Sequence, residues 1–429
     1  MSPLVTHTGT FTVDDRIAAP WRYLPVDVPA GTSALRVTLS CPRSAGMTVD
    51  LGCFGPAGFR GWSGGERESF AIGEAGATPG YLAGPVTPGQ WQVVLGLHLV
   101  PEDGLPYTVT AEPLDLAGGA LTRALAGYGA VDPASGATLE SGSGPAPGAL
   151  PAPAAERPPA RALPAPDGLT WLAGDLHAHT VHSDGVMTVA ELAVHAAERG
   201  LDFVAVTDHN TVSHHASLAR LSQLYQVLLL PGQEVTTELG HAGVLGDTGW
   251  IDFRAPAPAW LTAAEEAGGL MSVNHPFAGP SSWVHAMPRR PPLLEVWHWS
   301  WLDHGWTTPL SWWQAWDPAA VPVGGSDWHR PGSDAPLGTP VTWVACAEPT
   351  PVSLLDGLRA GRTAISESRD GPVLLRDGDE LVAVGADGLV LAGPEGPVRR
   401  VSGDQVRLPG APGYHRLLTL TGSTVALTP

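Results

Sequence analysis

Lysine is absent from this chain: all 23 basic residues are arginine. That excludes a P-loop lysine, a Schiff-base lysine and a carbamylated lysine bridging two metals. Cysteine is scarce. Cys41, Cys53 and Cys346 include no close pair and no CxxC, which excludes a zinc knuckle and a disulfide framework. No run of about 18 apolar residues occurs, so no membrane-spanning helix is expected. The first residues, Met1-Ser-Pro-Leu-Val-Thr-His7, carry neither a basic flank nor an apolar stretch. They predict no signal peptide and a cytoplasmic protein. Positive charge is also short: 23 basic against 42 acidic residues leave a formal net charge of −19. This balance argues against extended nucleic acid or an anionic membrane as a partner.

What is present points to a folded chain of several parts. At roughly 150 residues per domain, 429 residues suggest about three units. Hydrophobic residues reach 43% and charged residues only 15%, enough for a sizeable core. Over residues 1–112, short alternating runs such as Ala34–Ser40, Trp91–Leu97 and Tyr107–Ala111 are separated by Gly/Pro turns, which predicts an accessory N-terminal β-sandwich. Residues 113–168 are Pro/Ala/Gly-rich and read as a semi-extended linker. From 169 to 368 strand-like and helix-like runs alternate: Leu201–Thr207, Val227–Leu230, Leu270–Val273, Leu293–Val296 and Val321–Gly324 are strand candidates. Thr188-Val-Ala-Glu191 reads as a capping box for a helix that Gly200 stops. Such alternation predicts an α/β domain, a parallel barrel or a doubly wound sheet. Residues 369–429 return to short β runs, a small C-terminal β extension.

Thirteen of the 16 histidines lie between His177 and His329. His177-Ala-His179 follows the first predicted strand, with Asp184 five residues on. Asp208-His209 ends the second, Glu234 follows the third with His241 just after it, Asn274-His275 ends the next, and Asp327-Trp-His329 ends a late one. Each cluster is expected at the C-terminal end of a strand, where parallel barrels place their active sites. Six imidazoles and three carboxylates brought together would be satisfied by divalent cations, and nine donors exceed the needs of one ion. Two or three metals are therefore expected. Asp208 either orients a ligand or caps its turn. His7, His98, His195 and His415 are expected to be ordinary polar residues, and His214 and His215 to begin a helix on its solvated side. Ten of the 16 tryptophans lie between Trp283 and Trp343. Trp312, Trp313 and Trp316 are expected in the core, whereas Trp299 and Trp301 are candidates for a pocket wall beside His298. Arg330 is a candidate phosphate ligand, Arg289 and Arg290 read as surface charge, and Arg362 as a structural residue.

The segments Gly174-Asp-Leu-His-Ala-His-Thr-Val-His-Ser-Asp-Gly185, Val206-Thr-Asp-His-Asn210, Pro231-Gly-Gln-Glu234, Val273-Asn-His-Pro276 and Gly325-Ser-Asp-Trp-His329 resemble the motif series of the PHP (polymerase and histidinol phosphatase) metal-dependent hydrolases. The run from Glu234 to Gly246 resembles their CehA/McbA branch. The resemblance covers roughly residues 170 to 368. It implies a distorted seven-stranded β/α barrel, (β/α)7, holding two or three Zn, Mn or Fe ions. It also implies that His177, His179 and Glu234 bind one ion with Asp327 nearby, that Asp184, His209 and His329 fall to a neighbouring site, and that His241 and His275 serve a third or shared one. The implied reaction is attack by metal-bound hydroxide on a phosphoester, or on another ester or carbamate.

The expected function is accordingly a metal-dependent phosphoesterase acting on a small phosphate ester, with Asp184, Asp208, His241, His298 and Arg330 as candidate catalytic residues. A carbamate or carboxylester hydrolase on the same ions is the alternative, favoured by the Trp-rich segment. A non-catalytic binding protein working through its N-terminal region would be marked by lost ligands, and none is lost.

Overall fold

Apolar residues alternate with polar ones along the first 114 residues, and a period of two places one set of side chains on a common face. The computed structural model describes residues 2–43, 47–114, 150–301, 307–332 and 335–429. The chain divides into two compact units: Met1–Pro151 with Thr180–Ala190 and Asp208–Ser217, and Ala152–His179 with Glu191–Thr207 and Leu218–Pro429.

In the first unit, β1 (Val5–Phe11), α1 (Val13–Ala18), β2 (Trp21–Val28), β3 (Ala34–Ser40), β4 (Thr48–Gly55), β5 (Gly58–Gly64), β6 (Ser69–Gly73), β7 (Gly76–Ala77), β8 (Gly89–Leu99) and β9 (Leu105–Leu114) follow in order. They form two antiparallel sheets, β1-β9-β3-β6-β7 and β2-β8-β4-β5. The buried faces, with Val26, Leu35, Val37, Leu51, Trp91 and Leu95, share one apolar cluster. The short helix α1 interrupts what the alternation predicts as strand and turn only. A capping box starts it: Asp15 N donates to Thr12 Oγ1 at 3.1 Å, and Thr12 N donates to Asp15 Oδ2 at 2.9 Å.

The same unit holds two loops from later in the chain. Arg67 donates to the carbonyl oxygens of Val181 and Ser183. Gly80 N donates to Ser213 Oγ at 3.1 Å, and Gly80 O accepts from Thr211 Oγ1 at 2.8 Å. Gly80 has φ +95°, and a Cβ there would lie 2.6 Å from the Trp62 carbonyl oxygen and 3.0 Å from that of His182, so only glycine fits.

The second unit contains β10 (Thr170–Ala178), β11 (Phe203–Val206), β12 (Leu228–Thr237), β13 (Gly240–Leu245), β14 (Leu270–Val273), β15 (Leu293–His298), β16 (Val321–Gly325), β17 (Val341–Cys346) and β18 (Thr363–Ser366). Helices α2 (Val189–Glu198), α3 (His215–Tyr225), α4 (Ala257–Glu266), α5 (Thr308–Trp316) and α6 (Pro351–Arg359) lie between these strands in sequence, with Val189–Ala190 and His215–Ser217 counted in the first unit. Then come β19 (Val373–Asp377), β20 (Glu380–Val384), β21 (Val390–Gly393), β22 (Gly396–Arg400), β23 (Gln405–Pro409), β24 (His415–Leu418) and β25 (Thr424–Thr428). One mixed sheet runs β16-β15-β14-β13-β12-β11-β10-β17-β18-β25-β24-β21-β22, and β19-β20-β23 form another.

Pairing is parallel for β10/β11, β11/β12, β14/β15 and β15/β16, but antiparallel for β12/β13, β13/β14 and β10/β17. The antiparallel pairs have a local cause. Only Glu238 and Leu239 separate β12 from β13, and a two-residue connection can join only antiparallel neighbours. Two placements expected from sequence change as a result. Glu234 lies inside β12 rather than after it, and His241 sits near the start of an antiparallel strand, opposite Thr236. Beyond β16, Ala178 bridges Trp328 in parallel, with His179 N donating to Trp328 O at 2.9 Å. The ends of β10 and β16 are thereby held side by side.

Of the expected linker 113–168, residues 115–149 lie outside the described residues. The part from Ala152 belongs to the second unit, where Arg157 donates to Leu201 O at 2.9 Å and Arg161 to Arg369 O at 3.0 Å. The C-terminal strands join the mixed sheet through the β18/β25 pairing. Among the described residues no helix is long and apolar enough to cross a membrane.

Gly174 of β10 pairs with Phe203 of β11, and a Cβ at Gly174 would enter the Phe203 ring. Gly174→Ala should therefore destabilise the protein by about 1–3 kcal/mol through overpacking. Urea unfolding should show a lower midpoint at unchanged slope; an unchanged midpoint would show that the strands part without cost.

Candidate metal centre

The local structure around His177 begins with a buried carboxylate. Asp175 Oδ1 accepts from His177 N at 3.1 Å and Ser326 N at 3.0 Å, while Oδ2 accepts from Gly338 N at 2.7 Å and from Ser326 Oγ. Burial pushes the Asp175 carboxyl above its ordinary pKa, and these four donors oppose that rise. The same carboxylate thus fixes the backbone before His177 and the turn that presents Asp327.

On that frame two imidazoles and two carboxylates converge. His177 Nε2 lies 3.0 Å from Glu234 Oε1 and 3.1 Å from Asp327 Oδ1. His179 Nε2 lies 2.9 Å from Asp327 Oδ1 and 3.6 Å from Glu234 Oε2. One ligand atom from each of these four residues falls within 4.8 Å of all the others. His275 Nε2 is 3.1 Å and His241 Nδ1 3.4 Å from Glu234 Oε1, and His298 Nε2 is 3.3 Å from Asp327 Oδ2. His329 stacks on His179 with ring centroids 4.2 Å apart. Two backbone positions here are strained: His275 has φ +24° and Asp327 φ +49°, a region that non-glycine residues rarely occupy and that clusters at functional sites.

The charges are strongly coupled. Burial alone lowers the pKa of His177, but Glu234, Asp327 and Glu295 around it more than offset this and raise it well above the ordinary histidine value. His275 is raised for the same reason, with Glu234 opposing the effect of burial. Burial raises the Asp327 carboxyl, yet the charge of His177 and hydrogen bonds from His179 and His298 hold it well below the usual carboxylate range. Proton and divalent cation are alternative ways to offset the carboxylate charge gathered here.

The residues fit a divalent ion on two observations. The four-residue set offers two nitrogen and two oxygen donors, the chemistry zinc, manganese and iron accept. His177 Nε2, fully buried between two carboxylate oxygens, makes a hydrogen bond to neither.

Other expected site residues belong to the first unit. Asp184 Oδ1 lies 3.6 Å from His209 Nε2. Asp208 is sealed from solvent and accepts from Thr180 N at 2.8 Å, Thr180 Oγ1 at 2.7 Å and Ser183 Oγ at 2.7 Å. It holds the loop leading to Asp184. His214 is fully buried, with Nδ1 3.1 Å from Asp208 Oδ2, which corrects its expected place on a solvated helix face. His214 is turned inward beside the buried Asp208 carboxylate, a neighbour that spacing along the chain does not reveal. Arg330 is exposed next to His329. Trp313 is buried as expected, Trp312 and Trp316 are half-buried and stacked at 4.8 Å, and the side chain of Trp301 lies outside the described residues.

Sequence reasoning assigned no role to two buried residues of the centre. Asn274 Nδ2 donates to Glu234 Oε1 at 3.0 Å. Glu295 Oε1 lies 3.2 Å from His177 Nδ1. The available signal was a carboxylate in the apolar run Leu293-Leu-Glu-Val296, where a charge is rarely buried without a partner.

The chain is similar in part to known proteins. Residues 175–273 match the model of the PHP domain. An uncharacterized protein of Methanocaldococcus jannaschii, MJ1587, is 27% identical over 124 residues, covering 25% of this chain and 69% of that protein. A crystal structure of a two-domain protein from Bacteroides vulgatus, described as containing a predicted PHP-like metal-dependent phosphoesterase, aligns with a TM-score of 0.42 and 19% identity, covering 64% of this chain and 91% of that one.

His182 is buried with Nδ1 2.7 Å from Ser213 Oγ. Burial is the largest cause lowering its pKa, to about 3; Asp208 opposes, whereas His214, Arg67 and His215 add to the fall. Because the unfolded side chain titrates near 6.5, the unfolded state binds a proton that the folded state refuses between roughly pH 3 and 6.5. Stability should fall with decreasing pH in that window, by up to about 1.4 kcal/mol per pH unit from this group. His182→Gln should flatten the acid side of the stability profile, read from urea midpoints; a profile as steep as wild type would contradict the assignment.

Proposed function

We propose that this chain is a metal-dependent hydrolase, a phosphoesterase acting on a small phosphate ester and related to the CehA/McbA branch of PHP proteins. The observation that carries the reading is His177 Nε2, buried between Glu234 and Asp327 without a hydrogen bond, in a set of four donors of the right chemistry. In this reading His177, His179, Glu234 and Asp327 hold one ion, Asp184, His209 and His329 serve a second, and His241 and His275 a third or shared one. The strands that carry them would form a distorted (β/α)7 barrel, with an accessory β-sandwich before it. Bound Zn, Mn or Fe would supply Lewis acidity, activating water and neutralising charge that develops on phosphoryl oxygens.

The protein's own groups then bind and orient. Arg330 offers a planar fork that suits a phosphate, and no lysine competes for that task. His298 is anchored by Ser300 Oγ 2.7 Å from its Nδ1, with Nε2 toward Asp327, and is placed to move a proton to the leaving group. Asp208 acts through the loop it fixes rather than on substrate.

A carbamate or carboxylester substrate is the second reading, favoured by the aromatic series that follows His275. Phe277 meets Trp312 edge-on at 5.6 Å, and Trp312 stacks on Trp316. Such rings suit an apolar leaving group.

The test is hydrolysis of bis(p-nitrophenyl) phosphate beside 1-naphthyl N-methylcarbamate by Mn-loaded protein. The account expects phosphodiester turnover that His177→Ala reduces by more than the about 100-fold typical of losing an outer partner of a metal ligand, together with lost bound metal. Turnover of the carbamate alone would move the assignment to the second reading. Full metal content and full rate in His177→Ala would overturn both.

A further inference from the structure

Resting on the metal-centre reading above, we infer that Glu295 is a positioning residue: its carboxylate fixes the tautomer of His177, so that Nε2 carries the lone pair facing Glu234 and Asp327. Glu295 lies near the middle of β15 and is 2% exposed. Its two oxygens have separate tasks. Oε1 lies 3.2 Å from His177 Nδ1, and Oε2 accepts from the backbone N of His275 at 2.6 Å. One side chain therefore grips two members of the centre, one by its ring and one by its main chain.

The chemistry of this contact is directional. A carboxylate can only accept, so a neutral His177 facing it carries its hydrogen on Nδ1. Asn274 Nδ2, a donor 3.4 Å from the same Nδ1, would favour a lone pair there, but its shorter hydrogen bond is to Glu234 Oε1 at 3.0 Å, and Glu295 Oε1 is the nearer of the two groups to Nδ1. The lone pair is left on Nε2, where the two carboxylates converge. Outer carboxylates that hold a histidine in this way orient the ring and raise its basicity toward a metal. Space for the contact is made by Gly325, where a Cβ would strike Glu295 Oε1 and lie 2.6 Å from His177 Cβ.

Glu295→Gln is nearly isosteric but has one acceptor and one donor. The His275 N–H is a fixed donor and claims the amide oxygen. The amide nitrogen must then face His177 Nδ1, which forces the hydrogen onto Nε2 and blocks the ligand atom. Glu295→Asp keeps two acceptors and therefore the wild-type tautomer.

The experiment compares full-length wild type, Glu295→Gln and Glu295→Asp by two measurements. The first is Mn²⁺ affinity by calorimetry, where Glu295→Gln should bind about 10–100-fold more weakly. The second is the ¹⁵N spectrum of labelled histidine in metal-free protein at alkaline pH, where the ring is neutral, with the His177 signal assigned from a His177→Gln variant. Wild type and Glu295→Asp should show Nδ1–H, and Glu295→Gln should show Nε2–H. A merely structural role would lower the melting temperature of metal-free Glu295→Gln without changing the tautomer. An unchanged tautomer in Glu295→Gln, or Mn²⁺ affinity within twofold of wild type, would overturn the inference. Should wild type bind no Mn²⁺, the proposed function fails, while the tautomer measurement still decides the role of Glu295.

Discussion

A carboxylate sealed from water must be surrounded by donors, and Asp175 has four, drawn from three separate stretches of chain. Leaving a buried group without its hydrogen bonds typically costs about 1–3 kcal/mol, and more for a charged one. The donors are the backbone at His177, the Ser326 turn and Gly338, so one side chain sets the register between β10 and the end of β16. His177 and Asp327 face each other because their main chains are fixed by the same carboxylate. Asp327 then holds its left-handed backbone, and Trp328 returns to pair with Ala178. The strain at Asp327 and His275 persists because the surrounding hydrogen bonds over-determine both positions.

The second theme is the burial of like charge. Glu234, Glu295 and Asp327 crowd around His177, and Glu234 and Glu295 are almost wholly removed from water. Carboxylates packed this closely repel one another unless positive charge lies between them. The same carboxylates favour the protonated imidazoles, which is why His177 and His275 are raised, and the neighbouring histidines are why Asp327 is lowered. A divalent ion would take over the same task with more charge and no proton, so metal and proton compete for one position. Within the first unit, the N-terminal strands hold the two later loops by direct hydrogen bonds. Arg67 and Gly80 bond directly to the loops that carry Asp184 and His209.

Much of this was legible from residue patterns. Alternation located β3, β8 and β9, and polar residues at the ends of apolar runs marked His177, His179, His275 and Asp327. Period and spacing report faces and ends, however, and do not report pairing direction. The β12–β13 hairpin broke the expected parallel series because two residues cannot carry the chain back to a parallel start. Glu234 was found as a residue but placed after its strand, since the strand continues beyond the apolar run that announced it. His214 was read as solvated because its partner, Asp208, lies across a loop rather than along a helix. Glu295 and Asn274 drew no role: each works by touching another side chain, a fact that appears only when the strands are laid side by side.

The central claim is that His177, His179, Glu234 and Asp327 hold a divalent ion. Anomalous diffraction from crystals of Mn-loaded protein, recorded on both sides of the Mn edge, tests it most directly. The account predicts an anomalous peak within coordinating distance of His177 Nε2, His179 Nε2 and oxygens of Glu234 and Asp327. Well-ordered side chains at these four positions with no anomalous peak among them, in protein saturated with Mn, would contradict it.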